Sequence, residues 1–565
     1  MTGSARLVNV VTEPERAARY RAAGLWTTAT LPERVRVAAR TAEQSVAVAD
    51  RLGRDEQPAE HTYAELDRDS RMLAAWLTSR GIGRGDVVSV QLPNRYEAVV
   101  AAVAVLSIGA VLNPLLPNYR AHELSYVFTT ARPRAFISPA RYRGWDYVPM
   151  VRELAASTSV RPVHIVADDG AEGGDVRLAD ILGGGAAPDQ EPDRETGGLS
   201  AGSVSELIFT SGTEAQPKAI MHTEETANFG ARTAFSDLNV GPGQVVWMPS
   251  PVGHSTGLNY GVRAALYHGR TLVLQDRWDA ADAVAMIRRY QCSFTLAATA
   301  FLQDLVTECE RTGTRLPEMT HFGCGGAPVP PELVQRAAEV GIVVLRLYGS
   351  TEMLCGTWNR PDSPLPKRTS TDGPALSHTD IQVRDDAGRR LEPPAAGEMY
   401  LRGPSASVGY YNDPVRTEAT YLPDGWVRSG DIARIDEDGY ITIVGRKKEI
   451  IIRGGLNIAP REIEDMLMTI PEIERVAVVG LPDDRLGERA CACVVVRPGQ
   501  QLTFDTMISK LKAAGLATYK LPEQLQLMSE LPTTASGKVQ KHVIVRDLLA
   551  RTDQSRSREA EAAQS

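Results

Sequence analysis

The sequence predicts an α/β protein built from several structural units, and three observations carry that prediction. From Thr62 onward, helix-like and strand-like patterns alternate, which favours layered α/β architecture with parallel strands. The chain has 565 residues, more than one hydrophobic core normally serves, so roughly three or four domains or subdomains are expected. A run rich in Gly, Asp and Pro between Asp168 and Ser203 separates one alternating block from the next.

The elements follow in order. "TYAELDRDSRMLAAWLTSRGIGRGD" opens with Thr62 as a helix N-cap and runs out into glycines. "VVSVQLPN" then reads as a strand. "AVVAAVAVLSIGAVL", Ala98 to Leu112, is shorter than the ~20 residues of a membrane span and reads as a buried helix running toward a strand. The Gly/Asp/Pro-rich run is expected to be a surface linker containing one helix-sized island. A first α/β subdomain is thus expected over about 60–200 and a second over 204–374. Short strand-like pieces with turn signals follow ("TDIQVRDDAGRRL", "GEMYLRG", "GWVRSGDIARIDEDGYITIVG"), predicting a small antiparallel β-barrel or sheet over about 375–446. These three parts compose a large N-terminal domain, 1–446. After Arg446-Lys447-Lys448 comes a small α/β domain, 447–550, and then a polar tail, 551–565, expected to be disordered. No internal repeat is visible.

Hydrophobic residues make up 43% of the chain and charged residues 23%, with a formal net charge of −8 and a pI near 5.8. That balance argues against non-specific binding to nucleic acid or anionic lipid. An acidic protein that binds an anion must gather its cations locally, so single Lys and Arg positions matter. The six cysteines, Cys292, Cys309, Cys324, Cys355, Cys491 and Cys493, show no zinc-ligand spacing and read as reduced, buried thiols. The N-terminus has no apolar signal segment, and a cytoplasmic protein is expected.

"LIFTSGTEAQPKAIMHT", Leu207 to Thr223, is an apolar strand that stops at Thr210-Ser211-Gly212-Thr213 and is followed by Pro217-Lys218. Hydroxyls, backbone N–H groups and one lysine suit phosphate binding. The loop is not of the G-x-x-x-x-G-K-[ST] kind, and taken alone it also fits a polar turn with a surface lysine. Three further stretches change the weight. "RLYGSTE" spans Arg346 to Glu352, "GWVRSGDIARIDEDGYITIVGRKKEIIIRGGLNIAPREIED" spans Gly425 to Asp465, and "LPTTASGKVQKHVIVRDL" spans Leu531 to Leu548. In this order and spacing the four stretches resemble the adenylate-forming superfamily over roughly residues 60–550. "SGTEAQPK", "PVGHSTG", "GCGGAPVP" and "GRKKEIIIRGG" are most similar to the short- and medium-chain fatty acyl-CoA ligases.

The resemblance implies a role for each matching position. Thr210, Ser211, Gly212, Thr213 and Lys218 would hold the β- and γ-phosphates of ATP. Tyr348 would stack on adenine, with Gly325, Gly326 and Ala327 along the base. Thr351 would contact the α-phosphate and Glu352 would hold Mg²⁺, a cation that prefers oxygen ligands. Asp431 would accept from both ribose hydroxyls, and Arg446 would reach the ribose or phosphate. Lys538 would bridge the incoming carboxylate and the α-phosphate as charge builds in the transition state, the plainer reading being a solvated loop lysine. The C-terminal domain would be mobile, rotating about Lys448 between adenylation and thioester formation. Gly454 and Gly455 would then border the tunnel for CoA. His254 would gate the acyl pocket, unless it is a satisfied structural histidine, and Cys324 would line the pocket floor.

Some positions depart from the pattern. Glu214 and Ala215 stand where many relatives have Thr-Gly, Ala219 where most have Gly, and Leu456 where many have Glu or Phe. Gly253, His254 and Ser255 fill the region where amino-acid-activating relatives carry an aspartate, which disfavours an amino-acid substrate. The reading is an ATP- and Mg²⁺-dependent ligase that activates a short- or medium-chain, alicyclic or aryl acid and passes it to CoA. Two alternatives stand beside it. One is an ATP-dependent diazotase that activates nitrite toward an aryl amine, as some actinobacterial relatives do. The other is a non-catalytic nucleotide-binding relative.

Overall fold

The computed structural model describes residues 11–51, 57–171, 175–184, 200–210, 217–327, 329–454, 456–483, 485–533 and 539–551. Two large sheets form its centre. One has seven strands in the order Lys218–Thr223, Val204–Thr210, Val111–Pro114, Val87–Val90, Ala135–Ser138, Val163–Val166, Val176–Arg177, all parallel except the outer Val204–Thr210/Lys218–Thr223 hairpin. The other has eight, in the order Leu354–Trp358, Val344–Ser350, His321–Cys324, Cys292–Ala297, Val245–Met248, Leu272–Gln275, Val46–Arg51, Ala59–Thr62, parallel except at its two edges. The inner strands are buried on both faces, so their sequences are mostly apolar, with single buried polar residues such as Ser89 and Asn113.

The two sheets exchange chain, and this corrects the expected boundary at residue 204. Val46–Arg51 and Ala59–Thr62 belong to the later sheet, while Val204–Thr210 and Lys218–Thr223 complete the earlier one. The physical reason is a shared core. One apolar cluster takes Val88, Val90 and Leu112 from one sheet and Val246, Leu272 and Phe294 from the other. The helix Tyr96–Ser107, buried along almost its whole length, contributes to the same cluster and leads into Val111–Pro114. Thr62 does cap the helix Tyr63–Ser79: its Oγ1 accepts from Glu65 N at 3.2 Å, and Glu65 Oε2 accepts from Thr62 N at 2.7 Å.

One buried chain has the look of a catalytic triad. His164 Nε2 lies 2.9 Å from Ser138 Oγ, and His164 Nδ1 lies 2.9 Å from Asp175 Oδ1. Ser138 is fully buried, so no substrate reaches it. The three side chains tie adjacent strands of the seven-stranded sheet.

The Gly/Asp/Pro-rich run contains the short helix Leu178–Leu182; residues 185–199 lie outside the described residues, as does the tail from 552. The expected barrel is a five-stranded antiparallel sheet in linear order: Arg390–Leu391, Asp380–Arg384, Ala395–Arg402, Val427–Ile435, Ile441–Arg446. Its first strand has only two residues and pairs only with its neighbour among the described residues, which is too little to close a ring.

Beyond Arg446 a separate sheet forms from Leu456–Ile458, Ile451–Arg453, Gly487–Val496 and Ile473–Asp483, with Gln524–Leu527 parallel to Gly487–Val496. Asp372 joins three parts of the molecule. Its Oδ1 accepts from Arg346 Nη2 at 2.9 Å, its Oδ2 accepts from Ile443 N at 2.9 Å, and Arg461 of the C-terminal unit lies 3.8 Å away. All six cysteines are buried and outside any disulfide. No described helix is long and apolar enough to cross a membrane.

Candidate active site

Open parallel sheets bind ligands beyond the carboxyl ends of their strands. The eight-stranded sheet presents three expected site segments there. His254 follows Val245–Met248, Gly325-Gly326-Ala327 follow His321–Cys324, and Thr351-Glu352 follow Val344–Ser350. The two glycines have separate reasons. A Cβ on Gly325 would meet the Leu347 carbonyl oxygen at 2.6 Å, whereas Gly326 has φ +80°, a left-handed conformation that costs glycine little.

The other sheets bring the remaining groups. In the seven-stranded sheet, Thr210 and Lys218 pair directly across the mouth of the hairpin. Between them Ser211, Gly212 and Thr213, with Glu214 and Ala215, lie outside the described residues. Lys218 Nζ stands 5.5 Å from the centre of the Tyr410 ring, a cation–π distance. The Tyr410 hydroxyl donates to Glu352 Oε1 at 2.9 Å. The expected phosphate lysine and metal carboxylate are therefore linked through one tyrosine.

The antiparallel sheet supplies Asp431 and Arg446 as directly paired residues on neighbouring strands. Arg446 Nε lies 2.9 Å from Asp431 Oδ1, and the Tyr348 hydroxyl donates to Asp431 Oδ2 at 2.5 Å. Burial, then the Asp431 charge, pushes the Tyr348 phenol well above its ordinary pKa, so it stays a donor. Asp431 is itself almost fully buried, and its charge is held by these contacts. Tyr348, Glu352, Asp431, Arg446, Lys218 and Thr210 thus meet where the three sheets join.

Thr351 is placed from behind. Its carbonyl accepts from Nε2 of His222, a fully buried ring on the strand that starts at Lys218. The ordered sequence motifs do not mark Tyr410 or His222. The available signal was a histidine inside the apolar run "AIMHT", because a buried imidazole needs partners.

Other expected residues fall elsewhere. Cys324 is fully buried in the layer against the helices Ala280–Tyr290, Thr299–Thr312 and Pro331–Glu339, with its Sγ 3.8 Å from Thr299 Oγ1. Burial pushes its thiol up to about 12. His254 leads into a π-helix, Thr256–Arg263, whose Leu258, Tyr260 and Val262 pack in the core on the opposite face of the sheet. Cys324 and His254 therefore do not line one pocket. Strand alternation explains it: Gly323 faces Trp358 and Leu296 on the inner side, which turns Cys324 outward.

His254 is half-buried, with Nδ1 3.2 Å from Thr256 Oγ1. Lys448 is exposed in the 3₁₀ turn Lys447–Glu449 between the antiparallel sheet and the C-terminal unit. Gly454, at φ +56°, forms the exposed end of the Ile451–Arg453/Leu456–Ile458 hairpin. Gly455 and Lys538 lie outside the described residues.

Comparison with known proteins gives the class of this chain: an adenylate-forming ligase. The family model described as AMP-binding enzyme matches residues 35–411, and that of the AMP-binding enzyme C-terminal domain matches 462–538. The chain belongs to the AMP-binding enzymes. It is an adenylate-forming ligase of the acid–CoA ligase type. It is 35% identical to a medium-chain fatty-acid–CoA ligase of Escherichia coli K12, across 98% of this chain and 96% of that one. It is 32% identical to a salicylyl-CoA synthase/salicylate adenylyltransferase of a Streptomyces species, across 93% and 95%. The solved structure of ATP-bound MatB from Rhodopseudomonas palustris superposes with a TM-score of 0.79 at 26% identity, across 91% of this chain and 98% of that one.

Proposed function

We propose that this ligase activates a medium-chain fatty acid, or an alicyclic or aryl acid, as an acyl-adenylate and transfers it to CoA. The observation that carries the reading is the Tyr348–Asp431–Arg446 cluster, set beside Glu352 and Lys218 at the sheet junction. The Escherichia coli relative's name supports a medium-chain acid, and that of the Streptomyces relative supports an aryl acid. Gly253, His254 and Ser255 offer no carboxylate to an α-ammonium group, which favours an acid without one.

The acid carboxylate attacks the α-phosphorus of ATP and pyrophosphate leaves. The CoA sulfur then attacks the acyl carbonyl and AMP leaves. In this scheme Asp431 fixes the ribose, Thr351 meets the α-phosphate, and Lys218 with the Thr210 loop holds the outer phosphates. Lys538 neutralises charge where the new P–O bond forms. The donor set fits Mg²⁺. Among the described residues no cluster of three acidic, His or Cys side chains could hold a metal, but Glu352 Oε2 has no described hydrogen bond. Mg²⁺ is commonly held by one or two carboxylates, phosphate oxygens and water. When bound it neutralises phosphate charge.

Pyrophosphate release across a panel of C4–C12, alicyclic and cinnamic-type acids, each with and without CoA, tests the proposal. CoA-dependent thioester from at least one class is expected. No thioester from any, with pyrophosphate released instead by nitrite plus an aryl amine, would replace the CoA-ligase reading with nitrite activation.

A further inference from the structure

We propose that His222 is a positioning residue for adenylation, holding the Thr351–Glu352 turn through one hydrogen bond from its Nε2. This rests on the roles given above to Thr351 and Glu352.

His222 is fully buried on the strand Lys218–Thr223, directly opposite Glu206. Its Nε2 lies 2.7 Å from the Thr351 carbonyl oxygen and its Nδ1 lies 3.0 Å from Thr226 Oγ1. A carbonyl can only accept, so Nε2 carries the proton. Burial lowers the ring's proton affinity, and Nδ1 sits beside the Thr226 hydroxyl, which also lies 3.1 Å from the Thr223 carbonyl oxygen. The Thr351 carbonyl thus fixes a proton on Nε2.

The turn needs such a hold. Glu352 is tied by its side chain to Tyr410 and by its carbonyl to Ser407 N at 2.8 Å. For Thr351 the described hydrogen bond on the other side is the one from His222. His222 also sits in the strand that begins with Lys218. One strand therefore links the spacing of the expected phosphate cation to that of the Thr351 turn.

The two ring nitrogens can be tested separately. The amide nitrogen of glutamine reaches the place of Nε2, whereas that of asparagine reaches only the place of Nδ1. His222→Gln keeps a donor for Thr351, and His222→Asn loses it. The measurement is acid-dependent ATP–pyrophosphate exchange across Mg²⁺ and ATP concentrations, with the thermal midpoint of each variant. His222→Asn should lose about 10- to 100-fold in kcat, the cost of a small misplacement of a reacting group, and His222→Gln should recover most of it. If the asparagine variant does not fold, His222→Leu takes its place as the donor-free side chain. Equal activity of the glutamine and donor-free variants, losses that track thermal midpoint alone, or failure of both donor-free variants to fold would overturn the proposal. Thr351→Ala and Glu352→Gln run alongside: if neither impairs exchange, the assignment of the turn itself is wrong, which is a different failure.

Discussion

The Tyr348 hydroxyl and the Asp431 carboxylate are joined at 2.5 Å, across the boundary between the eight-stranded and the antiparallel sheets. Arg446 takes the other oxygen at 2.9 Å. Asp431→Ala is expected to weaken ATP binding by roughly 1.5–3 kcal/mol per lost charged bond, read by calorimetric titration. Tyr348→Phe, which keeps the ring, should cost less. An unchanged affinity in Asp431→Ala would place the ribose elsewhere.

Tyr410 stands between Lys218 and Glu352. Removing its hydroxyl leaves the ring under the lysine and frees the carboxylate to rotate. Tyr410→Phe should raise the Mg²⁺ concentration needed for half-maximal pyrophosphate exchange several-fold, with a smaller change at saturating Mg²⁺. Titration of Mn²⁺ with ATP, followed by electron paramagnetic resonance, should show the same weakening. Identical curves for wild type and variant would show that the Tyr410 hydroxyl has no part in Mg²⁺ binding.

Lys538 is assigned to the first half-reaction alone. Lys538→Ala should abolish adenylate formation yet still convert a pre-made acyl-adenylate and CoA to thioester. Equal loss in both half-reactions would contradict that division.

Lys448 lies in a three-residue turn between two separately folded sheets. Proline there fixes φ near −65° and should hinder rotation of the C-terminal unit. Lys448→Pro is expected to slow thioester formation much more than pyrophosphate release in single-turnover experiments. Parallel slowing of both would move the hinge to another residue.

Arg263 is wholly buried between Glu206 and Glu224, with Asn228 and Asn259 completing the group. Arg263→Met would leave two carboxylates without their cation. Breaking one side of a buried ion pair costs about 3–5 kcal/mol, so a clear drop in thermal midpoint is expected. A midpoint within the error of wild type would show that the group does not depend on the arginine for its stability.

Much of the α/β alternation was legible because strands buried on both faces, such as Val87–Val90 and Leu272–Gln275, are short and mostly apolar. The grouping of Tyr348, Glu352, Asp431, Arg446 and Lys218 was legible because charge and hydroxyls at strand ends form ordered motifs. Strand exchange was not, since pairing depends on which apolar faces share a core. Cys324 misled through its closeness to Gly325 in sequence, when the period of two in a strand sends it to the other face. Tyr410 and His222 could not be singled out by type alone. What distinguishes them is the atom each touches, and those atoms lie 58 and 129 residues away along the chain.

The exchange of strands between the two large sheets bears on how this chain can be divided. The Gly/Asp/Pro-rich stretch before Ser203 looks like a convenient place to cut. A cut there would leave the first fragment without Val204–Thr210 and Lys218–Thr223, and the second without Val46–Arg51 and Ala59–Thr62. Each piece alone would present raw sheet edges and aggregate. Produced together, the two pieces would supply each other's missing strands, making this stretch a site for a split enzyme whose activity reports reunion of its halves.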